Sequence, residues 1–332
     1  MPRSCSSLLL SLLIASAASA VTIDWTPIGN PGNACDPQPT HAEIPGGCFG
    51  AVAYSYNIGT YEVTNAQYAE FLNAKASGAD PFTLYDPNMG DPFSYGGIAR
   101  TTDSGGNFVY TAIPGRENRP VNYVAFADAM RFVNWMNNGQ GSSSTETGTY
   151  TLDFRPTPLL INTITRNPGA QILLPSEDEW YKAAYYDSLS SSYFDYPASS
   201  NNRTTCSAPS ALANRANCGQ VVGDLTNRGS YTGSASPYGT FDQGGNVAEW
   251  NEAIFNSGLG PSRGVRGGNF LFPNDVLAAL FRATGSAGSG GGQAGIGFRL
   301  AMIPGGYVPE PGTGMLVIGG LLGVAVQRRG RA

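Results

Sequence analysis

Four stretches rich in glycine, serine, asparagine and proline, residues 76–118, 138–152, 188–237 and 284–296, constrain this chain more than anything else in it. Segments of that length and composition read as loops, and so much loop in one domain points to function or to added constraint such as disulfides or calcium. Regular structure must fit between them, and three helices do. The first follows Thr64, which forms a capping box with Gln67, and carries Tyr68, Phe71 and Leu72 as one apolar stripe. The second is predicted over about 125–136, with Phe126, Ala129, Met130 and Val133 on a face that packs against the core. The third starts at Ser176, which boxes with Glu179; Leu174 staples its entry, Trp180, Ala183 and Ala184 face inward, and it ends near Asp187. Short strands are expected over 58–63, 171–174, 265–270 and 297–302, which gives an irregular, loop-rich α+β fold without internal repeats.

Residues 1–20 have the order of a secretory signal: Arg3, an apolar run over 8–14, and Ala18-Ser19-Ala20 before a mature start expected at Val21. The alternative is a buried N-terminal helix. At the other end Pro309-Glu310-Pro311 precedes an apolar, glycine-rich stretch over 312–326 and then Arg328, Arg329 and Arg331. That stretch is shorter than the ~20 residues of a comfortable span, and arginines favour the cytoplasmic side. It reads as a short transmembrane segment held until processing, the alternative being a last core element. The organisation expected is therefore a signal (1–20), one domain (21–303) and a sorting tail (304–332). Without its two ends the chain keeps 15 basic residues against 24 acidic, or 23 where Glu310 leaves with the tail, a balance of about −9 that argues against a nucleic-acid partner. Cys5 leaves with the signal. The remaining Cys35, Cys48, Cys206 and Cys218 are an even set in an exported chain, which favours disulfides. Local pairing would staple two loops at about 2–3 kcal/mol each. A soft-metal site is the other reading, though no Cys-x-x-Cys spacing or nearby histidine favours it.

The tail resembles the PEP-CTERM signal, which implies export, signal peptidase and exosortase as processing partners, and a surface or matrix location in Gram-negative bacteria that make extracellular polysaccharide. Between the ends lie, in order, Gly59-Thr60-Tyr61-Glu62-Val63-Thr64-Asn65-Ala66-Gln67-Tyr68, Arg119-Pro120-Val121-Asn122, Leu174-Pro175-Ser176-Glu177-Asp178-Glu179-Trp180, Gly245-Asn246-Val247-Ala248-Glu249-Trp250, Arg266-Gly267-Gly268-Asn269-Phe270 and Gly297-Phe298-Arg299. This succession resembles the formylglycine-generating enzyme, or sulfatase-modifying-factor, family, and covers nearly all of the mature domain. The resemblance implies an irregular α+β domain of the C-type-lectin-like kind with bound calcium. Trp180 and Trp250 sit in motifs whose role is packing, so they read as core before ligand-stacking residues.

The family's oxidase members hold copper(I) on two cysteines, soft ligands suited to that ion. The corresponding positions here are Phe272 and Leu277, the serine position is Asn269, and the tryptophan before Glu249 is Ala248. Neither Phe272 nor Leu277 can bind a metal, so the resemblance implies no copper site. A related branch places iron on a histidine cluster. This chain has one histidine, His41, in the loop between Cys35 and Cys48, and no base lies near any serine in a Gly-x-Ser-x-Gly setting. For calcium, a hard ion that takes oxygen, the resemblance implies side chains from Asp242 and Glu249 with carbonyls from Gly245 and Val247, and a second site on Asn217 and Asp224. The other reading of Asp242 and Glu249 is a turn cap and a buried salt bridge to Arg266 or Arg299.

The function expected is that of a non-catalytic extracellular binding or structural module linked to exopolysaccharide or to a surface protein. Aromatic residues on the long loops, Tyr85, Phe93, Tyr95 and Tyr110, then Tyr185, Tyr186, Tyr193, Phe194 and Tyr196, either stack on sugar or peptide faces or pack the loops onto the body. Two alternatives stand beside it. One is a formylglycine-generating-type oxidoreductase acting on protein cysteine. The other is a variable, C-type-lectin-like display protein whose recognition residues fall around 269–293.

Overall fold

The computed structural model describes residues 20–39, 46–152, 161, 163–257, 260–285 and 292–308. The signal segment, His41, Pro309, Glu310, Pro311 and the apolar tail lie outside the described residues. Among the described residues no helix is long and apolar enough to cross a membrane.

Both predicted capping boxes form. In α1 (Asn65–Lys75) the Gln67 amide donates to Thr64 Oγ1 while Gln67 Oε1 accepts from the Thr64 amide. In α3 (Glu177–Tyr185) Ser176 and Glu179 make the same reciprocal pair. This helix stops before Asp187, because Tyr186–Asp187 pairs with Ser192–Tyr193 as a two-stranded ribbon. The helix α2 (Phe126–Asn137) has no side-chain cap and is buried from Phe126 to Met136, on every face and not on one stripe only. It is the central helix of the core, which explains why it needs no cap of its own. Tyr68 stacks on Phe132 at 5.8 Å, and Phe71 and Phe298 meet Phe132 edge-on at 5.3 and 5.4 Å, joining α1, α2 and the C-terminal segment.

Two four-stranded sheets complete the frame. One runs in the order Trp25–Ile28, Tyr56–Gly59, Ala301–Met302, Ile172–Leu173, all antiparallel. The other runs Ala283–Gly285, Gly260–Arg266, Ala248–Ser257, Ile296–Gly297, with the last pair parallel. The strand expected over 58–63 ends at Gly59, since Thr60 and Val63 bond singly to Asp24 and Phe298 and form no ladder. That expected over 265–270 comes earlier, as the second arm of a long hairpin, and is stopped by Gly267 and Gly268 at φ 90° and 62°. The strand expected over 297–302 is two short strands in different sheets. Phe298, Arg299 and Leu300 carry the chain from one sheet to the other, and this crossing places Arg299 at the centre of the molecule. Two disulfides, Cys35–Cys48 and Cys206–Cys218, close loops with Cα separations of 5.3 and 4.9 Å.

Candidate functional site

The hairpin aims the Gly-Gly-Asn segment. Its arms pair Glu249 with Arg266 and Trp250 with Val265, and its register then shifts before Ile254. Beyond Arg266 the backbone needs two residues without side chains: a Cβ on Gly267 would lie 2.6 Å from the Gln243 carbonyl, and one on Gly268 would lie 2.6 Å from Val276. Asn269 follows and is held at both ends of its amide, donating to the Gly295 carbonyl at 3.1 Å and accepting from the Leu271 amide at 3.0 Å. It braces the segment across to the strand that follows the 284–296 loop.

This brace is one wall of a cleft of about 240 Å³, lined by Asn269, Phe272, Val276, Phe281, Gln293 and Ile296 among others. Phe272 is 53% exposed at its mouth. Leu277 is not in the lining: it is 0% exposed and packs with Tyr196, Ala216 and Cys218. Residues 274–277 form a single 3₁₀ turn, in which one residue step swings the side chain by about 120°, so Val276 and not Leu277 faces the cleft. Ala248 also lines it, and a larger side chain there would occupy the opening.

Under this surface lies a buried ionic layer. Both Arg299 and Glu249 are 0% exposed and join through two bonds of 2.6 Å, and Glu249 also accepts from Trp180 Nε1 at 2.8 Å. Arg299 donates in addition to the carbonyls of Gly59 and Phe241. Of the two arginines considered for Glu249 it is Arg299 that pairs, while Arg266 binds Glu177 at 2.6 Å and the carbonyls of Ala279 and Phe281. Burial, with Asp242 close by, holds the Glu62 carboxyl well above the usual range. Burial likewise pushes Asp242 up to about 6, even though it accepts from the Gly229 amide at 2.6 Å.

Of the side chains expected to hold calcium, two are engaged by arginines. Glu249 is taken bidentately by a guanidinium, and Asp224 is bridged by Arg116 and Arg119 at 2.7 and 2.6 Å, so both carboxylates already face cations. Gly245 and Val247 lie on the turn between Asp242 and Glu249, which is held in place by its amides, Gly245 donating to the Gly267 carbonyl and Asn246 to that of Asn217. Asn217 keeps one buried, unpartnered oxygen, which is a single ligand and not a shell. Among the described residues no cluster of three or more His, Cys, Asp or Glu side chains stands ready for a metal.

Most of the loop aromatics turn inward. Tyr85, Tyr110, Tyr185, Tyr186 and Tyr196 are buried, Tyr95 meets Phe270 edge-on at 4.9 Å, Tyr193 donates to the Ala34 carbonyl, and Phe194 is half-buried. Phe93, at 95% exposed, is the exception. Trp180 and Trp250 are core residues, their indole nitrogens bonded to Glu249 and to the Val124 carbonyl. Sequence reasoning missed Arg166, which is buried between Glu179 and Glu252. The available signal was Glu179 itself, a carboxylate directly before a core tryptophan.

Comparison with known proteins agrees with this geometry. Residues 50–303 match the model of the sulfatase-modifying factor enzyme 1-like domain, and the chain belongs to that family. Residues 308–329 match the PEP-CTERM protein-sorting motif, the mark of a chain exported and processed by exosortase. No curated protein matches the chain. Among solved structures it is similar to Treponema denticola variable protein 1, with 20% identity over 86% of this chain and 97% of that one and a TM-score of 0.54. It is also similar to CarF, with 19% identity over 85% and 99% and a TM-score of 0.53. At these identities the likeness speaks for the fold, an irregular C-type-lectin-like α+β domain.

Proposed function

We propose that this chain is a non-catalytic binding module of the cell surface or extracellular matrix, directed to exopolysaccharide by its sorting tail and folded around the family scaffold. One observation carries the reading. Phe272 and Leu277 stand at the positions that carry thiolates in the oxidase members, the cleft itself presents Phe272 and Val276, and all four cysteines of the described residues are joined in disulfides. A disulfide sulfur is neither a thiolate ligand nor a nucleophile. Ala248 keeps the cleft open, which suits the reception of a group from outside.

The test has two arms. Protein recovered after export is incubated with copper(I), oxygen and a cysteine-containing peptide, and is separately passed over matrix polysaccharide extracted from the producing cells. The reading expects no conversion of thiol to aldehyde and retention on the polysaccharide. Aldehyde formation, or free passage through the column, would overturn it. On the same reading guanidinium groups neutralise Glu249 and Asp224 in place of a bound cation. Chelation with EGTA is then expected to leave the melting temperature within about 1 °C, because removing a ligand that was never bound shifts no equilibrium; a drop of several degrees restored by calcium would refute it.

A further inference from the structure

Away from the Asn269 cleft lies a second, open cleft of about 430 Å³, bordered by Tyr54, Arg166, Asp178, Glu252, Arg263 and Tyr307 among others. No sequence motif pointed to it. Its floor is a fixed ionic network. Arg166 reaches Glu179 with Nη2 at 2.6 Å and Glu252 with Nε at 2.8 Å. Tyr54 donates to Glu179 at 2.7 Å, and Tyr150 donates to Glu252 at 2.5 Å. Arg263 is 2% exposed and donates through its terminal nitrogens to the carbonyls of Glu252, Ile161 and Ile164. Its Nε is left buried and without a partner among the described residues. The Arg166 guanidinium carbon lies over the Tyr307 ring, 5.4 Å from its centre, beside the cleft.

The charges select the occupant. Arg166 and Arg263 balance Asp178 and Glu252 in the lining, and Glu179 beneath adds one more negative charge, so an anion gains nothing here. A cation finds no idle carboxylate either, since Asp178 accepts from the Gly50 amide and Glu252 is held by Arg166 and Tyr150. What remains are oriented donors and acceptors with charges already paired, and two phenol rings. A neutral polyhydroxylated molecule fits both halves of that surface: its hydroxyls donate and accept, and its C–H face lies against a ring. The volume falls within the roughly 300–1,000 Å³ of small-ligand sites.

We propose that this cleft docks neutral saccharide units, with Tyr54 and Tyr307 against the sugar face and the Ser176 hydroxyl and Glu252 as hydrogen-bond partners. The inference rests on the reading of a polysaccharide-linked module and names where the glycan sits. Its test is calorimetric titration of the exported protein with neutral glucan, mannan and galactan hexasaccharides and with a polygalacturonate hexamer. At least one neutral hexasaccharide is expected to bind, and the anionic one to bind at least tenfold more weakly. Tyr307→Ala is expected to weaken neutral binding at least tenfold. Because that variant removes a packed ring, Ala53→Trp provides the second arm: Ala53 is exposed on the rim, and an indole there fills the cleft without disturbing the floor. Leu189→Ala, at a fully exposed and remote position, is expected to bind as wild type does. Matrix polysaccharide retained while no neutral hexasaccharide binds, or binding lost in Phe272→Ala but kept in both cleft variants, would overturn this inference and leave the proposed function standing. No retention of any polysaccharide would overturn both.

Discussion

Glu249→Gln is expected to destabilise the fold by about 3–5 kcal/mol, measured by urea denaturation of the disulfide-intact protein. The substitution keeps the shape of the side chain and removes its charge, which leaves Arg299 at 0% exposure without its bonded counter-ion and with only the raised carboxyls of Glu62 and Asp242 nearby. Arg299 does not escape by discharging: burial opposes its charge and the Glu249 carboxylate that offset this is gone, but a guanidinium keeps its proton at neutral pH. It cannot swing to water either, since its other donors are fixed on the carbonyls of Gly59 and Phe241. Those contacts tie the first sheet, the 241–249 turn and the hairpin through one side chain, so a loss here is felt by all three. Replacing both partners with apolar residues is expected to cost less than the sum of the single changes, because no orphan charge remains. An exposed pair sets the scale: Arg228 and Asp24 sit at 26% and 61% exposure, and Asp24→Asn is expected to change stability by no more than about 1 kcal/mol. A Glu249→Gln protein within that same small range would mean that Arg299 does not bolt the core.

The contrast between these pairs shows what could be read from the sequence and what could not. Thr64 with Gln67 and Ser176 with Glu179 are three residues apart, and the cap is a local geometry, so both are legible in the order of residues alone. The disulfides are legible for a similar reason, because each closes a loop of 12 or 13 residues. Glu249 and Arg299 are 50 residues apart, and nothing in the spacing separates Arg299 from Arg266 as the partner. The choice is made by the parallel pairing of Ala248–Glu249 with Ile296–Gly297, a long-range contact. The same limit placed Leu277 in the cleft where Val276 stands, since alignment fixes a position along the chain but not its rotation on a 3₁₀ turn. The second cleft was illegible for the strongest form of this reason. Tyr54, Arg166, Glu252 and Tyr307 come from four distant segments and share no motif, and only the fold brings them together.

Stability is expected to be greater at pH 5 than at pH 8, and Asp128→Asn to remove a large part of that difference. Asp128 is buried in the first turn of α2 and is left with a weak partner: Arg131 gives its Nε and Nη2 to Glu146 and reaches Asp128 only with Nη1 at 3.3 Å. Burial pushes the carboxyl up to about 7, Arg131 restrains the shift, and Asp80 adds to it. A raised carboxyl binds its proton more tightly in the folded chain than in the unfolded one. Its contribution is therefore fully present below the unfolded value near 4 and is lost as pH rises through about 7. Asp242, pushed up to about 6, and Glu62, also raised, act in the same direction over the same window. Glu179 acts against them: burial would raise it, but Arg166 and its hydrogen bonds bring it below the usual value, so its contribution is kept at neutral pH and lost only in stronger acid. For Asp128 alone a shift of this size corresponds to a penalty on the order of 4 kcal/mol above pH 8. An asparagine carries no charge to bury and can still accept from Arg131. Asp128→Asn should thus gain up to that amount at pH 8, match wild type near pH 4, and flatten the profile between. Urea midpoints measured from pH 4 to 8 decide it: a wild-type profile that climbs with pH, or an asparagine variant that is less stable at pH 8, would show that the buried carboxyl is well paired and carries its charge without strain.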